Sequence, residues 1–257
     1  MAKTKVLITG MSGLIGGALR RHLEGRYELT ALNRGALSGV RCHRADIRDA
    51  AAIRPAFEAQ DVVVHLAAMV SAGGREVSLD DMLELNLRGT HNVFEAARAA
   101  GCRRVVFASS GATVAGYEAD EPYQSLVAGK AGALKAGWPM LTHESPIRPR
   151  GLYGCSKAWG EALARSTADL SGMSILCVRI GRVTNNDRAE DVRTRTVWCS
   201  QRDICTLLEA AIVAPPALKF DIVFGCSNNR YGYRDLAHTR LSLGWSPQDS
   251  ADAFFKE

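Results

Sequence analysis

The chain has 257 residues, of which 47% are hydrophobic and 23% charged, with a formal net charge of +5 at pH 7. This composition is ordinary for a soluble globular protein of one large or two small domains. No apolar run reaches the roughly 18 residues of a membrane span, and the first residues resemble no signal peptide. Seven cysteines without a Cys-x-x-Cys pair favour reduced thiols in a cytoplasm over disulfides or a zinc site. The dispersed basic residues do not imply nucleic acid binding, but some could serve a small anionic ligand.

A glycine-rich turn joins the first predicted strand, residues 5–9, to the first predicted helix. Three glycines recur there at three-residue spacing: Gly10, Gly13 and Gly16. Such glycines permit a tight turn, close approach of a pyrophosphate and close packing of helix on strand. The helix N-terminus then offers free N–H groups to phosphates. The turn therefore predicts a dinucleotide site formed by Gly10, Ser12, Gly13, Leu14, Ile15 and Gly16.

The second predicted strand, residues 27–32, ends at Asn33 and Arg34. An acidic residue at this point would accept hydrogen bonds from the adenine ribose, as NAD requires. A neutral Asn followed by an Arg suits a 2′-phosphate instead. We therefore expect NADP or NAD as cofactor, with NADP favoured; the alternative for Arg34 is an ordinary solvated loop residue.

Strands and helices alternate through the next part of the chain. The predicted strands cover residues 40–45, 61–68 and 104–110, and the predicted helices cover 50–60 and 79–100. This rhythm predicts an α/β fold, a Rossmann-type doubly wound parallel sheet. Ligands bind at the carboxyl ends of such strands. Residues expected along that edge are Gly10, Asn33, Ala67, Ser109 and Ser110.

The remaining third of the chain is more irregular. Residues 118–150 contain many glycines and prolines and predict a long loop with one short helix near residue 134. Residues 183–198 also predict irregular structure. Regular elements are expected as strands at 174–179 and 219–224 and helices at 153–170, 204–213 and 236–243. We expect one domain over 1–257, with a cofactor-binding core at about 1–170 and a small, mostly substrate-binding C-terminal region at about 171–257.

Tyr153 and Lys157 are four residues apart and would share one face of a helix. A nearby ammonium favours the phenolate and lowers the pKa of a tyrosine. The pair predicts a general acid/base that moves a hydroxyl proton. The spacing alone also fits an exposed helix face, and it is the glycine turn upstream that favours catalysis.

These residues together resemble the extended short-chain dehydrogenase/reductase superfamily, which contains the NAD-dependent epimerases and dehydratases. The matching motifs are the glycine triplet, Asp46-Ile47, His65 to Ala68, Asn86-x-x-Gly89-Thr90, Phe107 to Ser110 and Tyr153-x-x-x-Lys157. Residues 151–157, 178–181, 193–198 and the ending 244–249 are most similar to uronate dehydrogenases. The resemblance covers residues 5–182 most specifically.

The resemblance implies which residues form each part of the site. Beyond the glycine turn and Asn33-Arg34, the implied cofactor contacts are Asp46, Ile47, Leu66, Ala67, Ala68, Asn86, Ser109, Tyr153, Lys157 and Ile180. The implied substrate contacts are Ser71, Ser110, Gly111, Ala112, Thr113, Tyr153, Arg182 and Arg193. The catalytic hydroxyl of the epimerases falls on Gly111, which has none, so we expect Ser110 to replace it, with Thr113 as the alternative. Arg182 and Arg193 would clamp a carboxylate or phosphate, or else lie in solvent.

The resemblance implies an NAD(P)-dependent dehydrogenase that transfers hydride between the nicotinamide and a sugar acid or related small polyhydroxy compound. Tyr153, Lys157 and Ser110 would be catalytic, and no metal is expected. A nucleotide-sugar epimerase, dehydratase or reductase is the alternative, although the C-terminal region is short for it. A non-catalytic NAD(P)-binding sensor is the second alternative. We expect a cytoplasmic protein, with a homodimer as the favoured oligomer.

Overall fold

Seven parallel strands form one sheet in the order β3-β2-β1-β4-β5-β6-β7, across the part of the chain that the computed structural model describes, residues 2–70, 77–134 and 137–255. The strands are β1 Lys5–Thr9, β2 Glu28–Asn33, β3 Arg41–Arg44, β4 Val62–His65, β5 Arg104–Ser110, β6 Ser174–Ile180 and β7 Phe220–Gly225. The strand order reverses beside β1, between β2 and β4. The predicted Rossmann-type doubly wound parallel sheet is confirmed.

Helices cover both faces of the sheet. They are α1 Leu14–Leu23, α2 Ala50–Ile53, α3 Leu79–Met82, α4 Gly89–Ala99, α5 Tyr123–Val127, α6 Gly151–Ser171, α7 Val192–Val197, α8 Gln201–Val213 and α9 Ala237–Leu243. The described helices include none that is long and apolar enough to cross a membrane.

Successive side chains of β5 point to opposite faces of the sheet and pack in two separate hydrophobic cores. Val106 and Ala108 pack in the core beneath α1 and α8, whereas Val105 and Phe107 pack in the core beneath α4 and α6. Both faces of the strand are buried, as expected for parallel strands covered by helices on each side. This burial leaves the strand ends as the place where polar side chains can meet a ligand.

The structure corrects three predictions of local structure. The helix predicted over 79–100 contains a π-helical segment, Leu83–Arg88, between α3 and α4. The predicted 118–150 loop contains α5 and a 3-10 helix at Ala131–Ala133, and another 3-10 helix, Ala115–Ala119, leads into it. The stretch 183–198, predicted to be irregular, contains α7. Asp191 caps this helix by accepting a hydrogen bond from the Thr194 N–H, which explains how so polar a segment becomes helical.

Candidate active site

A cleft of about 400 Å³ lies at the carboxyl ends of the central strands. One end is formed by the glycine turn and the other by the start of α6 and by α7. A second, adjoining cavity lies on the far side of the turn, beside the end of β2. Together they follow the crevice at which open parallel sheets bind ligands.

The glycine turn has the geometry that its sequence predicts. Gly10 adopts φ +70°, and a Cβ there would lie 2.9 Å from the backbone of Ala67, two residues after β4. A Cβ on Gly16 would overlap the backbone of the turn itself. Gly13 is the N-cap of α1 and lines both cavities. The helix therefore presents its N-terminus to the crevice at a residue that has no side chain.

Asn33 and Arg34 line the second cavity, as do Asp46 and Ile47. Asn33 is buried, and neither its amide oxygen nor its amide nitrogen has a hydrogen-bond partner among the described residues. A buried amide without partners is costly, so this one fits a ligand that supplies hydroxyl groups. Asp46 holds Arg48 through two oxygens, at 2.8 and 3.1 Å, while Arg34 is exposed.

Several residues that the sequence analysis named form the backbone and apolar walls of the two cavities. The lining of the cleft includes Leu14, Ile15, Leu66, Ala68, Ala112 and Ile180, and the adjoining cavity includes Ser12 and Ala67. The predicted contact Ser71 lies outside the described residues.

The side chains of two predicted cofactor contacts, Asn86 and Ser109, form hydrogen bonds within the protein. Asn86 contacts the N–H and C=O of Met69 at 2.8 and 2.9 Å and donates to Ser156 at 3.1 Å. Ser109 donates to Glu161 at 2.5 Å. Their side chains thus hold the loop after β4 and helix α6 in place, a supporting role that the sequence did not separate from direct contact.

His65, which belongs to a matched motif, also acts inside the protein. Its Nδ1 lies 2.7 Å from the Thr9 hydroxyl and its Nε2 3.1 Å from the Thr90 hydroxyl. Burial, with a smaller effect of Lys157, lowers the pKa of His65 to about 3. The imidazole is therefore neutral and joins β1, β4 and α4 through hydrogen bonds.

Tyr153 and Lys157 lie on the first turns of α6 and both line the cleft. The Tyr153 phenol hydrogen-bonds with Ser110, at the end of β5. The Lys157 Nζ donates to the carbonyl of Ala108 at 2.7 Å and lies 5.7 Å from the centre of the Tyr153 ring. An ammonium has three donors, so this contact leaves two for a ligand.

The pKa of Tyr153 moves in the direction opposite to our prediction. Removal of the phenol from water raises its pKa to about 12, and the hydrogen bond with Ser110 only partly opposes this. Lys157 is not among the causes of this shift; burial lowers the pKa of Lys157 to about 8, so its ammonium is still mostly charged at neutral pH. At neutral pH the phenol is protonated and poised to donate.

Gly154 explains how α6 comes so close to β5. A Cβ at this position would lie 2.7 Å from the carbonyl oxygen of Ala112. The chain segment before α6 also pairs with this turn, since the Arg150 N–H donates to Ala112 at 3.0 Å. The glycine between Tyr153 and Lys157 thus sets the distance at which the phenol meets Ser110.

Of the two hydroxyls predicted to assist Tyr153, Ser110 has the more suitable position. Its Oγ accepts from the Ala112 N–H at 3.1 Å and hydrogen-bonds with Tyr153 inside the cleft. The Thr113 hydroxyl is fully buried and donates to the Ser110 carbonyl at 2.9 Å.

Arg193 reaches the cleft from α7, but an acidic residue occupies its guanidinium fork. Its Nε and Nη2 donate to Glu118 at 2.7 and 2.8 Å. Glu118 is buried and also accepts from the Tyr233 hydroxyl at 2.7 Å. Burial raises the pKa of Glu118, but the hydrogen bond and charge of Arg193 outweigh it, and the net direction is downward. The guanidinium of Arg193 is thus engaged by Glu118, although Arg193 does line the cleft, and the exposed Arg182 lies at the rim.

Arg234 is a cleft residue that the sequence did not reveal. It follows β7 and is only 5% exposed. Its guanidinium lies where a side chain on Gly111 would be, because a Cβ there would overlap it. Two residues far apart in the chain share this space, and no pattern in a single sequence links them.

All charged side chains among the described residues that line this cleft are cationic. The described lining residues include four cationic side chains, namely Lys157, Arg182, Arg193 and Arg234, and no carboxylate. Among the described residues there is also no group of three His, Cys, Asp or Glu that could hold a metal ion. The site thus combines a phenol, a hydroxyl and fixed positive charge.

Fold and site together define a Rossmann-type protein with a Tyr-x-x-x-Lys pair beside the strand ends, the arrangement of the extended short-chain dehydrogenase/reductase class. The chain belongs to the NAD dependent epimerase/dehydratase family, whose model matches residues 6–197.

Characterised relatives cover nearly all of the chain. The uronate dehydrogenase of Agrobacterium fabrum is 34% identical over 255 residues, which cover 97% of this chain and 86% of that protein. The NAD-dependent glucose-6-phosphate dehydrogenase of Haloferax volcanii is 32% identical and covers 97% of this chain and 95% of its own length. A solved structure of a mutant uronate dehydrogenase from Agrobacterium tumefaciens, complexed with NAD, has a TM-score of 0.81 at 33% identity, covering 98% of this chain and 88% of that one. The predicted resemblance to uronate dehydrogenases is confirmed.

Proposed function

We propose that the protein is an NAD(P)-dependent dehydrogenase acting on a small anionic sugar, such as a sugar acid. The observation that carries this proposal is the Ser110–Tyr153–Lys157 group at one end of a cleft lined by cations and no carboxylate. The likeness to a uronate dehydrogenase and a glucose-6-phosphate dehydrogenase along the whole chain supports it.

The residues of the glycine turn and of the second cavity would hold the dinucleotide. Its phosphates would face the N-terminus of α1, its adenine ribose Asn33, and its other ribose the two remaining donors of Lys157. When bound, the nicotinamide supplies the group that accepts or donates hydride. The fit rests on the unpartnered Asn33 amide and on a turn that a Cβ would obstruct.

Tyr153 would transfer the hydroxyl proton of the substrate, and Ser110 would hold the same oxygen by a hydrogen bond. The raised pKa of the phenol suits donation to a developing alkoxide at neutral pH. Acting as a base on an alcohol requires the phenol first to lose its proton, which nearby positive charge favours. Lys157 is close enough to contribute such charge when protonated.

The preference for NADP remains our proposal for the cofactor. Asn33 carries no charge that would repel a 2′-phosphate, and the exposed guanidinium of Arg34 lies on the same cavity. Both NAD and NADP would fit the same turn, so Arg34 would decide the ratio of affinities. The division into a cofactor core and a C-terminal substrate region, and a homodimeric state, are likewise proposals.

Cofactor absorbance tests the function directly. The protein should change the 340 nm absorbance of NAD or NADP with at least one sugar acid or sugar phosphate, and Tyr153→Phe should abolish most of this change. Cofactor binding without any turnover across such a panel would support the sensor alternative. Turnover of nucleotide sugars alone would support the epimerase or dehydratase alternative.

A further inference from the structure

Arg234 is a buried cation that forms no direct ion pair with any described residue; the charge of Glu118 raises its pKa, but from beyond ion-pair distance. Four other arginines, Arg150, Arg179, Arg193 and Arg195, each have a carboxylate within ion-pair distance. A guanidinium keeps its charge in proteins and has five N–H donors. Burying such a charge unpaired costs several kcal/mol, by the order of magnitude known for ions in proteins. The position therefore calls for an anion.

The hydrogen bonds of Arg234 are also weak and few. Its Nη2 donates to the Gly111 carbonyl at 3.4 Å and its Nη1 to the Cys226 sulfur at 3.8 Å. Its Nε is buried with no partner among the described residues. Arg234 is nevertheless one of the residues that line the cleft in which a substrate would lie.

Gly111 creates the room for this guanidinium. Gly111 immediately follows Ser110, which hydrogen-bonds with Tyr153. The guanidinium of Arg234 therefore lies beside the residue that is next in the chain to the reacting group. A methyl group on Gly111 would overlap all three outer atoms of the guanidinium. Arg234 can therefore occupy this position only because residue 111 is a glycine.

We infer that Arg234, in the space left open by Gly111, binds the oxyanion of the substrate and sets the selectivity of the enzyme for anionic over neutral sugars. This inference rests on the proposed function and names the group that recognises its substrate class. Arg193 is held by Glu118 and forms the wall behind this site, whereas Arg234 meets the anion. Both a carboxylate and a phosphate monoester match the planar fork of a guanidinium.

Ligand binding tests the inference without depending on turnover. Calorimetry in the presence of cofactor should compare a hexuronate, the corresponding hexose 6-phosphate and the uncharged hexose. The parent should bind one of the two anions at least tenfold more tightly than the uncharged hexose, and the preferred anion identifies its chemistry as carboxylate or phosphate. Arg234→Gln should reduce the affinity for that anion tenfold or more and leave the affinity for the uncharged hexose and the cofactor unchanged.

Gly111→Ala provides a second variant that leaves Arg234 in the chain. Its methyl group should displace the guanidinium and cause a similar loss of anion affinity. Adding Gly111→Ala to Arg234→Gln should then cost little more, since the two changes remove one contact. Arg240→Gln, which changes an exposed arginine on α9, is the matched control and should bind like the parent.

Other results would contradict either the inference about Arg234 or the proposed dehydrogenase function. Equal anion affinity in the parent and Arg234→Gln, equal losses for all three sugars, or no anion binding by the parent would overturn the inference. Anion binding that depends on Arg234, without hydride transfer from any of the three sugars to the oxidised cofactor, would overturn the proposed dehydrogenase and leave the anion site established.

Discussion

Ser109 and Ser110 are adjacent on β5, yet their hydroxyls serve different parts of α6. Ser109 donates to Glu161, which also binds Arg179 at 2.8 and 2.9 Å in the buried interior. Ser110 hydrogen-bonds with Tyr153 at the cleft. One serine thus supports a buried ion pair, and the next belongs to the reacting group.

This difference predicts separable effects of two matched substitutions. Ser110→Ala should reduce turnover by about 10²-fold, because a donor to the reacting oxygen is lost. Ser109→Ala should instead reduce the free energy of unfolding by about 1–2 kcal/mol, because a buried carboxylate loses a hydrogen bond. Steady-state kinetics and urea unfolding measure the two effects. Thr113→Ala should cost less turnover than Ser110→Ala; the reverse order would assign the role to Thr113.

Tyr153→Phe removes the proton-transferring hydroxyl and keeps the ring. Turnover should fall by about 10²–10⁴-fold, the usual contribution of a general acid/base group. Cofactor affinity should stay close to that of the parent. Tyr117→Phe removes a hydroxyl that contacts the Pro146 carbonyl outside the cleft, and it should retain turnover. Parental rates in Tyr153→Phe would refute the proposed chemistry.

Gly13→Val should abolish tight binding of the dinucleotide. Gly13 lines both cavities, so a branched side chain there would stand in the path of the phosphates. A Cβ on Gly17, one turn further along α1, would make only ordinary contacts, with the end of Arg21 at 3.7 Å and the Met11 carbonyl oxygen at 3.9 Å, so Gly17→Val should bind cofactor normally. Calorimetry on both folded variants makes the comparison, and unchanged affinity in Gly13→Val would place the cofactor elsewhere.

Arg34→Ala should weaken NADP and leave NAD little changed. A charge-assisted hydrogen bond is worth about 1.5–3 kcal/mol, which corresponds to roughly tenfold to a hundredfold in affinity. NAD serves as the internal control, since it lacks the 2′-phosphate. Tighter binding of NAD than of NADP by the parent, or equal losses for both, would reject the NADP preference.

Lys157→Met should make the cofactor-free protein more stable near neutral pH. The pKa of Lys157 is lowered from 10.5 to about 8, so the unfolded chain binds the extra proton between these pH values. The free energy of unfolding of the parent should therefore rise as the pH increases from about 8 to 10.5. Below about pH 8 the buried ammonium destabilises the folded protein to its full extent. We expect a gain of about 1–3 kcal/mol at pH 7 after the lost hydrogen bond to Ala108 is subtracted.

Urea unfolding from pH 7 to 10 measures this effect. The difference between Lys157→Met and the parent should shrink as the pH rises through the window. Lys130→Met, at an exposed site, is the control and should show no comparable change with pH. A constant difference over the whole range would mean that the charge of Lys157 is not the cause.

Local signals in the sequence identified the parallel sheet, the glycine turn and the Tyr153–Lys157 pair, because each depends on spacing within a short segment. The supporting roles of Ser109 and Asn86 could not be predicted from the sequence, since a hydroxyl or amide near a cleft can face either the ligand or the protein. Arg234 could not be found at all. Its position depends on the absence of a side chain at Gly111, 123 residues earlier.

Glu118 joins the 3-10 helix Ala115–Ala119 to α7 and to the segment after β7, because one carboxylate binds Arg193 and Tyr233 together. For protein engineering, these three segments are one module. Exchanging α7 alone would leave the buried Glu118 carboxylate without Arg193, and removing one partner of a buried ion pair typically costs about 3–5 kcal/mol. Exchanging the segment after β7 alone would remove the hydrogen bond that Tyr233 donates to the same carboxylate. New specificity is therefore reached more readily by transplanting all three segments at once, or by single changes at positions such as Gly111 that leave the carboxylate in place.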